Sequence, residues 1–454
     1  MKKTIIVIFI LLSFQLFAGE GTLEKPSVDN RVELLSIVFR LAGNKEYSST
    51  NFKLYTDRIE KHFSPYKNHE LIRFAQKMKN EFSISYEAPM TMAVNLDDNL
   101  NPLQEFHNGL PRWEKDNATE FVTLLQKFYN DARCNDFFNN NKDLFSETVD
   151  RFNNIYKNVD LNWYSSFFGI EPGKFSILIG LGNGGQCYGA SVKNSEAFAI
   201  MGVWDIDGSG MPVFKTDAYL PLVIHEFNHS FINNLLEKNK AAFKNIGEQI
   251  FNKVRAKMQV QANSNWEIML NEALVRASTI KYFKDHGINK QVIDNMIQKE
   301  IDLGFVWIKG LVAELDNYST QRNTYPTLES FMPKIAEAYR AYSEAITEND
   351  TKNPKVESID EFKNGDTNVS PTIKTITVNF DKALLTDRYS VFLGPKGKDA
   401  FPTLKKCYFS DSKKFIMEVE LQPNKEYQFI LVGKNFVTPD GLGLIDCEVN
   451  FKTK

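Results

Sequence analysis

Leu220-Pro221-Leu222-Val223-Ile224-His225-Glu226-Phe227-Asn228-His229 is an apolar run ending in two histidines four positions apart, with a glutamate directly after the first. Four positions are about one helical turn. On a helix both imidazoles therefore share a face and can reach one zinc ion. The apolar residues before His225 give that turn a side to bury, so helical structure is expected from Thr216 onward. Glu226 has a different role. Beside the ion it accepts a proton from water instead of binding metal. Histidine is scarce, six in 454 residues. The chance expectation for this pattern is on the order of 0.005 matches by multiplying frequencies.

A reactive zinc site takes a third protein ligand and keeps one position open. His286, Glu237, Glu267 and Glu272 are candidates. Glu272 is preferred, because Trp266 to Ala277 reads as a strongly apolar helix interrupted by Glu272 and Arg276 one turn apart. A carboxylate buried there demands a compensating charge or a metal, and Arg276 can brace it. His286 is the main competitor, but beside Gly287 it reads as part of a helix C-cap. An oxyanion at such a site needs a donor besides zinc. Tyr188, Tyr219, Tyr318 and Tyr325 are available. Tyr325, just before Pro326, is chosen because it follows the ligand helix.

Around this core the chain reads as α+β. One hydrophobic core rarely exceeds roughly 250–300 residues, so at least two domains are expected. The chain is 43% hydrophobic with 36 Phe, which is ample core material. The net charge is −3 and no basic tract stands out, so nucleic acid is not expected as a partner. Helical periodicity starts with Val32, Leu34, Leu35, Val38, Phe39 and Leu41, and recurs around Leu71 to Met78 and Phe121 to Phe128. Ala93 to Leu96 fits a short strand or a helix start, and Asn135 to Asn141 a loop or frayed helix. Phe175 to Leu181 and Cys187 to Val192 read as a hairpin across Gly182-Asn183-Gly184-Gly185, with Ala197 to Val203 as a third strand. Gly184, Gly185 and Gly189 clear side chains from a candidate peptide-binding edge. Asp205 to Gly210 resembles the start of a calcium loop, but its twelfth position is Thr216, so it reads as a surface turn. Further helices are expected at about 240–258, 264–283, 289–301, 305–317 and 327–346.

Near 347–358 the composition turns polar, and beyond it the period becomes two. Ile376, Val378 and Phe380 alternate, as do Tyr389, Val391 and Leu393. Phe415, Met417 and Val419 follow, then Tyr427, Phe429 and Leu431, and Val449 with Phe451. This predicts an all-β sandwich. Of four cysteines, Cys407 and Cys447 could join neighbouring strands there. At the other end, Lys2-Lys3, the apolar Thr4 to Phe17 and small residues at Ala18-Gly19 read as a cleaved signal, residues 1–18. Its loss removes two lysines and leaves a charge of about −5. No later stretch reaches the ~18 consecutive apolar residues of a membrane span.

His225-Glu226-x-x-His229 with the later Glu272 resembles the gluzincin type of zinc metallopeptidase. The stretch from Arg31-Val32-Glu33-Leu34-Leu35 to about residue 345 is similar to an uncharacterised family of secreted bacterial proteins that carry this motif. The resemblance implies a zincin-like domain over 19–350, mainly helical with a small mixed sheet. It implies Zn2+ on His225, His229 and Glu272, with Glu226 as general base. One departure is spacing: 43 positions separate His229 from Glu272, more than in compact members. Residues 357–454 resemble a bacterial Ig-like domain, on Asn364-Gly365-Asp366-Thr367-Asn368-Val369-Ser370-Pro371, Val378-Asn379-Phe380 and Leu421-Gln422-Pro423-Asn424-Lys425-Glu426-Tyr427. Such a module implies a spacer or binding function. The expected activity is hydrolysis of a peptide or protein substrate in a secreted, periplasmic or surface-associated setting. The alternatives are a zinc-containing protein that binds peptide or glycan without catalysis, and an amidase acting on a non-peptide carbonyl compound.

Overall fold

The computed structural model describes residues 21–106, 110, 112–171, 173–192, 196–261 and 263–454. The signal expected at residues 1–18 lies outside them. The fold is α+β: a mainly helical region with small sheets, then a region of antiparallel sheets. Two compact units emerge. One takes residues up to Lys244 together with Glu267–Ala336, and the other Asn245–Trp266 with Glu337–Lys454.

The first unit opens with helices α1 (Asn30–Leu41), α2 (Lys53–Phe63), α3 (Glu70–Phe82), α4 (Glu87–Val94), α5 (Lys115–Asp131), α6 (Cys134–Asn139), α7 (Lys142–Tyr156) and α8 (Leu161–Phe168). Their buried faces follow the helical period: Val32, Leu34, Leu35, Val38 and Phe39 on α1, and Leu71, Ile72, Phe74, Ala75 and Met78 on α3. Ala93 and Val94 close α4 as helix, and the asparagine-rich stretch holds the short α6.

Strands β1 (Thr22–Leu23), β2 (Lys174–Gly180), β3 (Tyr188–Val192) and β4 (Glu196–Gly202) form one sheet in the order β1-β2-β4-β3. This corrects the expected hairpin. β4 lies between β2 and β3, parallel to the first and antiparallel to the second. The reason is burial. β2 and β4 are buried at six of seven positions, which suits inner strands. β3 is mostly half-buried or exposed and takes the edge. The glycine-rich segment is therefore a crossing, pinned from α1. The buried Glu33 accepts the N–H groups of Leu181 at 2.6 Å and Gly182 at 3.0 Å. Within it Gly184 has φ +66, and a Cβ there would lie 1.8 Å from the Glu46 carbonyl oxygen, so only glycine fits.

β5 (Asp205–Ile206) and β6 (Pro212–Val213) flank the turn that superficially suggested calcium. The Asp207 carboxylate is taken up by the N–H groups of Ser209 and Met211 and by Arg151. Then comes α9 (Thr216–Val260), one 45-residue helix where two were expected. Leu235 to Ala242 contains neither glycine nor proline, so nothing interrupts it. α10 (Trp266–Asp285), α11 (Lys290–Asp302), α12 (Ile308–Thr320) and α13 (Leu328–Lys352) follow. Among the described residues no helix is long and apolar enough to cross a membrane.

The second unit carries β7 (Val356–Ile359), β8 (Thr375–Phe380), β9 (Val391–Leu393), β10 (Thr403–Asp411), β11 (Lys414–Glu420), β12 (Glu426–Leu431) and β13 (Cys447–Lys452). The sheets β10-β11-β8-β7 and β13-β12-β9 are antiparallel. Ile376, Val378, Phe380, Phe415, Met417 and Val419 from one share a core with Tyr427, Phe429, Leu431, Val449 and Phe451 from the other. β9 departs from the expected alternation: Tyr389 falls before the strand and is exposed, and within it both Phe392 and Leu393 are exposed. All four cysteines are free thiols. Cys407 and Cys447 stand on strands of different sheets and are not bridged.

Candidate metal centre

Helix α9 supplies His225 and His229, and α10 supplies Glu272. The first turn of α9 is anchored by Tyr219, whose hydroxyl donates to the Gly202 carbonyl at 3.0 Å and accepts the Trp204 N–H at 3.1 Å. The back of α9 is held by aromatic packing. Phe227 meets Phe175 edge-on at 4.6 Å, and Phe231 stacks on Phe168 at 4.2 Å. Asn228, fully buried inside the motif, donates to the Thr279 hydroxyl at 3.1 Å and ties α9 to α10. Burying the Phe227 and Asn228 side chains turns the two histidines the other way.

There they meet the carboxylate. His225 Nε2 and His229 Nε2 are 3.2 Å apart. Glu272 Oε1 is 3.3 Å from His229 Nε2, and Oε2 is 3.7 Å from His225 Nε2. A tetrahedral ion with bonds of ~2.0–2.2 Å separates its ligand atoms by about 3.3–3.6 Å. The His–His distance and the approach of each imidazole to a Glu272 oxygen fall near that range, and among the described residues this is the one group of three such side chains that could hold a metal ion. Their side chains are 19–21% exposed, so the site opens on solvent. His229 Nδ1 lies 3.1 Å from Asn233 Oδ1. A proton on Nδ1 satisfies that contact and leaves the Nε2 lone pair facing the other donors. Glu272 Oε2 also accepts from Arg276 Nε at 3.2 Å. Arg276 is held in turn by Glu300 at 2.6 Å and by the Phe305 ring at 5.0 Å.

Burial pushes the His225 imidazole down to about 3, with the positive charges of His229 and Arg276 adding to it and Glu272 opposing. Burial acts on His229 in the same sense. The hydrogen bond and charge of Glu272 outweigh it and raise that group to about 9. Glu272 is held well below the usual carboxylate range: burial opposes this, but the His229 hydrogen bond and the charges of His225, His229 and Arg276 prevail. Glu226 goes the other way. Burial lifts it to about 7, Glu272 adds to that, and His229 and a hydrogen bond from the Gly189 N–H oppose it. A Cβ built on Gly189 would sit 2.8 Å from Glu226 Oε2. Glu226 thus rests on edge strand β3, poised near neutrality.

The other candidates lie elsewhere. Glu267 pairs with Lys240 at 2.9 Å. Glu237 is exposed near the same lysine. His286 caps the end of α10, its Nδ1 2.7 Å from the Tyr282 carbonyl and its Nε2 3.2 Å from Asp160. The Tyr318 hydroxyl donates to the Phe167 carbonyl at 2.7 Å. Tyr188 is buried with its ring 6.4 Å from that of Tyr47. Tyr325 is half-buried between α12 and α13, its ring edge-on to Phe331 at 5.0 Å. Gly184 and Gly185 serve the crossing with positive φ, while Gly189 serves the approach of Glu226. Sequence reasoning missed Asn233 and Glu300. Asn233 had a signal, since it lies one turn beyond His229 on the same helix face. Glu300 had none.

Residues 106–338 match the family described as a domain of unknown function, DUF4932. That is just over half of the chain, and the chain belongs to this family. No curated protein matches it. Among solved structures, it is similar to domains 1–6 of the surface layer protein SbsC, to the S-layer protein rSbsC and to the N-terminal part of the bacterial S-layer protein SbsC. Identity is 13–14% and the TM-score 0.17 in each case. The likeness covers 51–52% of this chain, and 33%, 33% and 58% of those chains. At that TM-score no shared fold follows.

Proposed function

We propose that this member of the DUF4932 family is a zinc-dependent hydrolase of peptide bonds, of the gluzincin type. The observation that carries the reading is the pairing of a His225/His229/Glu272 donor set with a separate, half-buried carboxylate, Glu226, on the same turn of α9 as the two histidines. A site that only held metal would have no use for the second carboxylate. An ion held by the three donors would polarise the attacked carbonyl and acidify a water molecule. Glu226 accepts the proton of the attacking water and passes it to the departing amine, a role suited to a group near neutrality. Arg276 holds the Glu272 carboxylate in place, and Asn233 fixes the His229 tautomer. The sandwich of the second unit is read as a spacer or binding module, and residues 1–18 as the signal of a secreted or periplasmic protein.

Glu226→Gln should keep zinc and lose turnover. Zinc content by elemental analysis and product formation from a peptide library by mass spectrometry check both halves. Wild-type rates in a zinc-loaded variant would remove Glu226 from the mechanism. A zinc-loaded wild type that cleaves nothing would leave a binding protein.

A further inference from the structure

Edge strand β3 decides how a peptide can lie against the site. In an antiparallel ladder every second residue turns its main-chain groups away from the partner strand. Ser191 does so, since its carbonyl accepts from the Asn95 Nδ2 at 3.1 Å. Gly189, two positions earlier on the same strand, does so too, and its N–H is engaged by Glu226. Between these two contacts the outward edge offers a substrate the Gly189 carbonyl and the Ser191 N–H.

Asn95 is not a loose cap. It is 3% exposed, and its amide also donates to the Thr91 carbonyl at 2.9 Å. Its Oδ1 accepts from Gln104 at 3.1 Å, and its own carbonyl accepts the Leu103 N–H at 2.9 Å. A peptide added to the sheet would run about 4.8 Å from β3, which at Ser191 is where the Asn95 side chain sits. The Ser191 side chain stays exposed on the face that Gly189 turns to Glu226. What is filled is the strand position itself. From Gly189 to Ser191 is about 6.8 Å along the strand, room for roughly two substrate residues. Antiparallel pairing is the more stable ladder. It would run the substrate against the direction of β3, placing the substrate's amino-terminal side toward Ser191.

We propose that the site trims the amino end of a peptide, releasing one or two residues, because Asn95 closes the edge beyond them. This rests on the hydrolase reading above. The balance is that of hydrolysis. Water oxygen joins the carbonyl carbon, the C–N bond breaks, and a proton passes through Glu226 to the leaving nitrogen.

The test uses the full chain loaded with Zn2+ and one synthetic peptide in three forms: free, N-acetylated and C-amidated. Products are read by mass spectrometry. The expected result is loss of one or two residues from the amino end of the free and the amidated forms, with acetylation slowing cleavage roughly tenfold or more. Equal cleavage of internal bonds in the acetylated peptide, or trimming from the carboxyl end, overturns the proposal while hydrolysis stands. No cleavage of any form by zinc-loaded protein sinks the hydrolase reading and this proposal with it. Asn95→Ala should raise cleavage of the acetylated form. If that variant does not fold, the three peptides on the wild type still decide.

Discussion

Gly189 has no side chain, and the Glu226 carboxylate occupies the space where one would be. Gly189→Ala should push that carboxylate aside and cost about 100-fold in kcat, the scale of an ångström's misplacement in a reactive site. Zinc content should be unchanged, because no donor to the ion moves. Elemental analysis beside steady-state kinetics tests the split, and a variant with wild-type kcat would show that the contact does not matter. The charge arrangement makes a second prediction. His229 holds its proton up to about 9 through Glu272, and an ion must displace that proton. Zinc affinity should therefore fall about tenfold per pH unit below ~9, with close to one proton released per ion at neutral pH. Calorimetry in buffers of different ionisation enthalpy measures the release. The donor set itself was legible in the chain, because two histidines one turn apart and an acid in an apolar helix are local patterns. The role of Gly189 was not. A glycine that clears space for a carboxylate leaves the same mark as one that makes a turn, and only the fold brings residue 189 to residue 226.

At the level of elements, Glu33 connects α1 to the crossing between β2 and β3. It is fully buried, and burial is the main reason its carboxyl rises to about 7. Glu33→Ala would leave the Leu181 and Gly182 N–H groups without an acceptor. With each of the two orphaned donors costing about 1–3 kcal/mol, the loss should be roughly 2–6 kcal/mol, read from urea unfolding. Most helices and the sandwich strands were readable from period alone, because each element's own pattern states which face is buried. Strand order was not readable. Nearest-neighbour pairing is the default for two strands flanking glycines, and what inserts β4 between them is its burial on both faces. β9 misled too: Tyr389, Val391 and Leu393 alternate like a core strand, but Tyr389 precedes it and Phe392 and Leu393 are both exposed.

For the molecule as a whole, zinc should act on one unit. All three donors belong to the unit of residues up to Lys244 and Glu267–Ala336. An ion that binds only the folded site stabilises it by about 2.7 kcal/mol at a hundredfold excess over Kd. Calorimetric scans with and without zinc should show the shift in the transition of that unit, leaving the sandwich transition in place. The same division bears on the 43 positions between His229 and Glu272. Past His229, α9 runs on into the other unit. The chain comes back at Glu267, which meets Lys240 where the excursion began. The outgoing and returning stretches thus meet through that ion pair on the donor-bearing unit. Such an excursion is free to lengthen or shorten over generations without disturbing the donor set. The distance in sequence between the histidine pair and its acid is then a poor signature of kinship, and an ancestry traced through this site is better sought in how two helices meet than in how many residues part them.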